Sequence, residues 1–178
     1  MSTLTGKKIA ILATDGFEQV ELTKPKQALE EAGATVHVVS PKQDQIKGWD
    51  ETDWGQSVAV DVSLDQANAD TYDALVLPGG QINPDKLRTE EKAISFIANF
   101  GKQNKPIAAI CHGPWTLIEA ELVRGKKMTS FPSIKTDLKN AGAEWVDQEV
   151  VVDQGIITSR NPDDIPAFNK AMIEEFAK

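Results

Sequence analysis

Short, wholly apolar runs alternate along this chain with longer stretches in which apolar residues return every three or four positions. Ile9-Ala10-Ile11-Leu12-Ala13 has the length of a strand and no polar face, as a strand covered on both sides requires. Val36 to Ser40, Ala74-Leu75-Val76-Leu77 and Ile107 to Ile110 repeat the pattern, bounded by Pro41, by Pro78-Gly79-Gly80 and by Lys105-Pro106. Between them, a helix with Val20, Ala28, Leu29 and Ala32 inward is expected to end at Gly33, with Pro25 breaking or bending it near its start. Ala93, Phe96, Ile97 and Phe100 mark a helix within Glu90 to Asn104, and Gly113-Pro114 opens another. Short strands follow near Val150 to Val152 and Ile156 to Ser159, then a last helix with Ile165, Phe168, Met172 and Phe176 inward. Lys42 to Asp70 is mostly polar, with Gly48, Gly55, Trp49 and Trp54, and only Val58 and Val60 alternate as a half-exposed strand would, which predicts a hairpin or an excursion away from the sheet. This alternation predicts one α/β domain over residues 1–178, a three-layer sandwich around a largely parallel sheet.

Composition narrows the function. At 178 residues, with 40% hydrophobic and 26% charged, the chain is an ordinary globular sequence that can fold without disulfides or a structural metal. A net charge of -8 repels phosphate backbones and anionic lipid, so nucleic acid is not the expected partner. One cysteine, no signal peptide and no apolar run of membrane-spanning length lead to an expectation of a cytoplasmic protein without a membrane partner. Two histidines and no ligand-spaced cluster predict no metal, and the absence of glycine-rich phosphate loops predicts no nucleotide cofactor.

Ligands of open α/β sheets bind beyond the carboxyl ends of the strands. There, Ala109-Ile110-Cys111-His112-Gly113 has the small-x-nucleophile-x-small form of a nucleophile elbow. A thiol at the following helix N-terminus is expected to be acidic and reactive. The N–H groups of His112 and Gly80 would form an oxyanion site, with Gly79 and Gly113 beside them as substrate-binding residues. Glu18, after the first strand, is expected to reach the sulfur as a protonated carboxyl, and His112 to serve as a base. Packing is the expected role of Trp49, Trp54 and Trp115.

The segments Asp15-Gly16-Phe17-Glu18-Gln19-Val20-Glu21-Leu22, Asp73 to Gly80, Ala109 to Pro114 and Thr158-Ser159-Arg160-Asn161-Pro162 resemble the PfpI-type proteins. These belong to the class I glutamine-amidotransferase-like superfamily, with the human parkinsonism-associated deglycase. The resemblance covers nearly the whole chain and implies a flavodoxin-like sandwich. It implies Cys111 as nucleophile, His112 as its neighbour and Glu18 as the carboxyl beside the sulfur. It further implies a homodimer or larger homo-oligomer in which Asp85 approaches the histidine of a partner subunit, standing where archaeal proteases have a glutamate. The activities it implies are a stress-related deglycase or glyoxalase-like hydrolysis of methylglyoxal or glyoxal adducts, peptide hydrolysis, and oxidative sensing through the cysteine. The substrates so implied are small dicarbonyls, glycated compounds or peptides.

Overall fold

A computed structural model describes residues 3–178. Four buried apolar runs form neighbouring strands: β1 (Lys8–Leu12), β2 (Thr35–Ser40), and, after a long connection, β6 (Ala74–Leu77) and β7 (Ile107–Ile110). Lys42 to Asp70 supplies β3 (Gln45–Asp50) and β4 (Asp53–Ala59), an antiparallel hairpin, and β5 (Val62–Ser63), which returns to the sheet edge. The C-terminal third adds β8 (Lys127–Met128) and β9 (Glu144–Trp145), a small parallel pair, then β10 (Val151–Asp153) and β11 (Ile156–Ser159). The main sheet is seven-stranded, in the order β10-β11-β7-β6-β1-β2-β5. Only β10 runs antiparallel to its neighbour.

Helices cover both faces because successive strand residues point to opposite sides. Ala10, Leu12, Leu75, Leu77 and Ala109 pack beneath α3 (Glu91–Lys102) and α4 (Pro114–Glu119), where Phe96, Phe100 and Leu117 are buried. Ile9, Ile11, Val76, Ala108 and Ile110 meet α1 (Gln19–Glu31) and α6 (Ile165–Phe176) through Leu22, Leu29, Phe168 and Met172. Each such side chain contributes about 1.5–3 kcal/mol by leaving water. Two short helices, α2 (Ile82–Leu87) and α5 (Lys135–Asn140), had no clear period in the sequence because each is too short to repeat one.

Pro25 neither breaks α1 nor starts it. The helix runs through this residue, which withholds one backbone hydrogen bond but is buried on the apolar face, so packing offsets the loss. Gly33 ends the helix as expected: at φ +102° its N–H donates to Glu30 O, while Ala34 N–H donates to Leu29 O.

The parallel order brings the ends of β1, β6 and β7 side by side. The loops Ala13 to Glu18, Pro78 to Gln81 and Cys111 to Gly113 therefore converge on one edge of the sheet. The hairpin leans over them: Gly16 N–H donates to Lys47 O (2.8 Å) and Trp49 N–H to Phe17 O (2.7 Å).

Candidate active site

Cys111 leaves β7 with φ at 64°, in the left-handed region that costs a non-glycine residue on the order of 1–3 kcal/mol. Cys111 N–H donates to Ser159 O, and Phe131 N–H donates to Cys111 O, so both neighbours of the elbow hold the strained turn. Its small residues are steric necessities. A Cβ on Gly113 would stand 2.6 Å from Leu77 O, and one on Gly79 would stand 2.6 Å from Cys111 Cβ. Gly113 N–H is bonded to Ile110 O and Gly79 N–H to Glu21 Oε1, leaving neither free for a substrate oxygen. Both glycines thus make room for the nucleophile rather than bind substrate, a correction to their expected role. Gly80, at φ +79°, and His112 do direct their N–H groups at the sulfur. Those two donors can hold an oxyanion formed beside it.

Only 6% of Cys111 is exposed, yet its sulfur is not sealed in hydrocarbon. It lies at the floor of a cleft of about 640 Å³ whose walls include Glu18, Trp49, Glu51, Ile82, Phe131 and Pro162. Trp49 therefore does more than pack, although it also meets Trp54 edge to face at 5.4 Å.

The carboxyl against the thiol is that of Glu21, not Glu18. Glu18 is the extended residue before α1, and its Oε1 accepts from Glu51 N–H (3.1 Å) at the mouth of the cleft. Glu21 is one helical turn further, wholly buried on the face that also carries Leu22, Pro25 and Leu29. Its Oε1 accepts from Gly79 N–H at 3.0 Å, its Oε2 is buried with no hydrogen-bond partner, and the carboxyl lies against the Cys111 thiol and the Gly80 N–H. Burial first, and the charge of Glu18 second, push its pKa up to about 8. At neutral pH Glu21 is a carboxylic acid, with Oε1 taken by Gly79 N–H and Oε2 left to carry the proton.

The expected acidity of Cys111 meets an opposing force. Burial, then the charge of Glu21, pushes the thiol up, against the pull of the Gly80 and His112 N–H groups. Below about pH 8 the acid form of Glu21 removes the second of those upward causes. The first remains, so the sulfur is served by a nearby base. His112 Nδ1 lies 3.2 Å from Sγ, and burial holds the ring below its ordinary pKa, hence neutral at pH 7. Its other nitrogen, Nε2, is 3.1 Å from Ser133 Oγ, and the ring stacks on Phe131 with centroids 4.8 Å apart. With Nε2–H donating to Ser133, Nδ1 is left to accept the thiol proton. Asp85 is exposed on α2, and within this chain the group at His112 Nε2 is the Ser133 hydroxyl. Ser133 and Phe131 carried no signal in the sequence, because they reach the site from a distant loop. Glu21 did carry one: an acid in line with the apolar stripe of a helix. Among the described residues no three His, Cys, Asp or Glu side chains are grouped to hold a metal ion, and no helix is long and apolar enough to cross a membrane.

Comparison with known proteins places this geometry. The DJ-1/PfpI family matches residues 7–175. The chain belongs to the DJ-1/PfpI family. It is 46% identical over 167 residues to General stress protein 18 of Bacillus subtilis, covering 93% of this chain and 95% of that one. It is 45% identical over 166 residues to Protein/nucleic acid deglycase 2 of Escherichia coli, covering 92% of this chain and 94% of that protein. Among solved structures, Drosophila melanogaster DJ-1beta superposes with a TM-score of 0.88 at 30% identity, over 99% of this chain and 91% of that one. The flavodoxin-like sandwich implied by the sequence resemblance is thus the fold of this DJ-1/PfpI chain.

Proposed function

We propose that this DJ-1/PfpI chain is a cysteine-dependent hydrolase that removes dicarbonyl adducts, of the methylglyoxal or glyoxal type, from amines and thiols during stress. One observation carries the proposal: a single thiol, held at a strained elbow, lies between a neutral histidine and a carboxyl that keeps its proton at pH 7. A base and an acid beside one nucleophile are what a displacement with a poor leaving group needs. The names of the stress-protein and deglycase relatives support the same direction.

For a methylglyoxal hemiaminal the steps balance as follows. His112 Nδ1 takes the thiol proton as Sγ bonds to the carbinol carbon, and the C–N bond breaks with Glu21 protonating the departing amine. The resulting Glu21 carboxylate removes the hydrogen from that carbon and delivers it to the adjacent carbonyl carbon, the carbinol hydroxyl proton passes to the former ketone oxygen, and the Gly80 and His112 N–H groups hold the oxygen that carries the charge in between. This isomerises the thiohemiacetal to a thioester of lactate. Water then adds, its proton returning to Glu21, and the C–S bond breaks as the histidinium returns its proton to sulfur. Lactate leaves, and both acid and thiol are restored. Replacing Cys111 by Ser is expected to abolish lactate release from methylglyoxal and its adducts by purified protein. Unchanged turnover in Cys111→Ser would remove the covalent mechanism.

Peptide hydrolysis is the second reading, favoured by the 3.2 Å approach of His112 Nδ1 to Sγ and by Ser133 behind the ring. Cleavage of casein or of a fluorogenic peptide, lost in both Cys111→Ser and His112→Ala, would select it.

A further inference from the structure

Three loops meet at the sulfur, and one buried carboxamide ties two of them together. Asn83, the second residue of α2, is wholly buried and is not among the residues that line the cleft. Its Oδ1 accepts from Thr14 N–H (2.7 Å) just past the end of β1. Its Nδ2 donates to Pro78 O (3.1 Å) and to Gly79 O (3.3 Å) in the loop after β6. With one donor and two acceptors around it, the side chain is satisfied in this orientation and in no other.

Those two carbonyls belong to peptide planes whose other ends face the chemistry, because a trans peptide points its N–H opposite to its C=O. The Pro78–Gly79 plane presents Gly79 N–H to Glu21 Oε1 (3.0 Å), and the Gly79–Gly80 plane presents Gly80 N–H to the Cys111 sulfur. The second plane is the vulnerable one. It lies between two glycines, Gly80 sits at φ +79°, and glycine takes either sign of φ with similar ease. Stiffer residues are excluded, since a Cβ on Gly80 would stand 2.5 Å from Gly16 O and one on Gly79 would meet Cys111 Cβ. Turned over, this peptide would set a carbonyl oxygen against the sulfur in place of an N–H. Among the described residues, Asn83 Nδ2 and Glu18 N–H (3.3 Å) are what hold Gly79 O in place.

We infer that Asn83 is a positioning residue: it clamps the Gly79–Gly80 peptide so that Gly80 N–H aims at the oxyanion, and the plane before it so that Gly79 N–H aims at the acid. Its part in turnover rests on the hydrolase proposal above, whereas the orientation of the peptide does not.

Asn83→Leu keeps the approximate shape of the side chain and removes all three hydrogen bonds, while Asn83→Ala removes the shape as well. Both should lower kcat for methylglyoxal about 10²-fold, the lower end of what losing one oxyanion donor costs, with KM unchanged. A wild-type kcat in Asn83→Leu would reduce Asn83 to a space-filling residue and overturn the inference. Phe176→Leu, a core truncation near the end of α6, serves as the stability control and should leave kcat as it was. The sulfur reads the same peptide without turnover. Iodoacetamide should alkylate Cys111 about tenfold more slowly at pH 7 in both Asn83 variants, because the thiolate loses a hydrogen bond. Alkylation at the wild-type rate refutes the clamp even where turnover falls. In the wild-type protein, the Asn83 Nδ2 protons should exchange with deuterated water far more slowly by NMR than those of the exposed Asn99 and Asn140. Equal exchange refutes the clamp without any variant having to fold. A wild-type protein that leaves methylglyoxal untouched sinks the hydrolase, and the alkylation rates still decide whether Asn83 sets the peptide.

Discussion

Replacing Glu21 by Gln should make the protein more stable and less active, by amounts that follow from one buried proton. The carboxyl ionises near pH 4.3 in an unfolded chain and near pH 8 in the folded one. Because the folded-state pKa is raised, the folded protein holds the proton more tightly. Its contribution to stability is therefore fully present below about pH 4 and is lost progressively as the pH climbs toward 8. At pH 7 the unfolded chain gains about 3 kcal/mol from releasing a proton that the folded chain keeps. Gln carries no charge in either state, and its oxygen can still accept from Gly79 N–H. Allowing for a poorer fit of the amide beside sulfur, Glu21→Gln should gain about 2 kcal/mol at pH 7, or ~4–8 °C in Tm for a chain of this size. The gain should vanish at pH 4, where both side chains are neutral. Turnover, by contrast, should fall about 10²–10⁴-fold, since an amide cannot protonate a leaving amine. Urea unfolding of both proteins at pH 4 and pH 7 separates the terms. A variant no more stable at pH 7, or one stabilised equally at the two values, would refute the buried acid.

Two further outcomes follow from the same geometry. The pH profile of kcat/KM should be bell-shaped, its alkaline limb near 8, where Glu21 loses its proton, and its acid limb below 6.5, where the buried His112 ring gains one. An alkaline limb that persists unshifted in Glu21→Gln would reassign it. Ser133→Ala leaves His112 Nε2 without its partner and should lower kcat about tenfold with little change in KM, while Ser133→Thr restores most of the rate. A Ser133→Ala enzyme with wild-type kcat would show that the hydroxyl plays no part in orienting the ring.

The fold was largely legible because the four apolar runs leave no polar face to expose, and only a sheet covered on both sides accommodates them. The elbow was legible for a similar reason. Ala109 and Gly113 flank Cys111 at the spacing that a sharp strand-to-helix turn demands, and the Cβ clash at Gly113 shows why. What the sequence misassigned is the partner of the sulfur. Glu18 and Glu21 both follow β1, and proximity in the chain does not say which side of the first helical turn faces the core. Glu18 precedes the helix and points to the hairpin, whereas Glu21 lies under it, in register with Pro25 and Leu29. Ser133, Phe131 and Glu51 were illegible for a different reason: each arrives through a long-range contact that leaves no local pattern. The reading of Gly79 as a binding residue failed because its N–H is already given to Glu21.

The covalent role of Cys111 is tested most directly by catching the sulfur in mid-reaction. Acid quenching during a single turnover of methylglyoxal, followed by intact-mass and peptide mapping, should show one dicarbonyl equivalent on Cys111 that forms and decays at the rate of lactate release. Lactate appearing at its normal rate with Cys111 unmodified throughout would contradict the account.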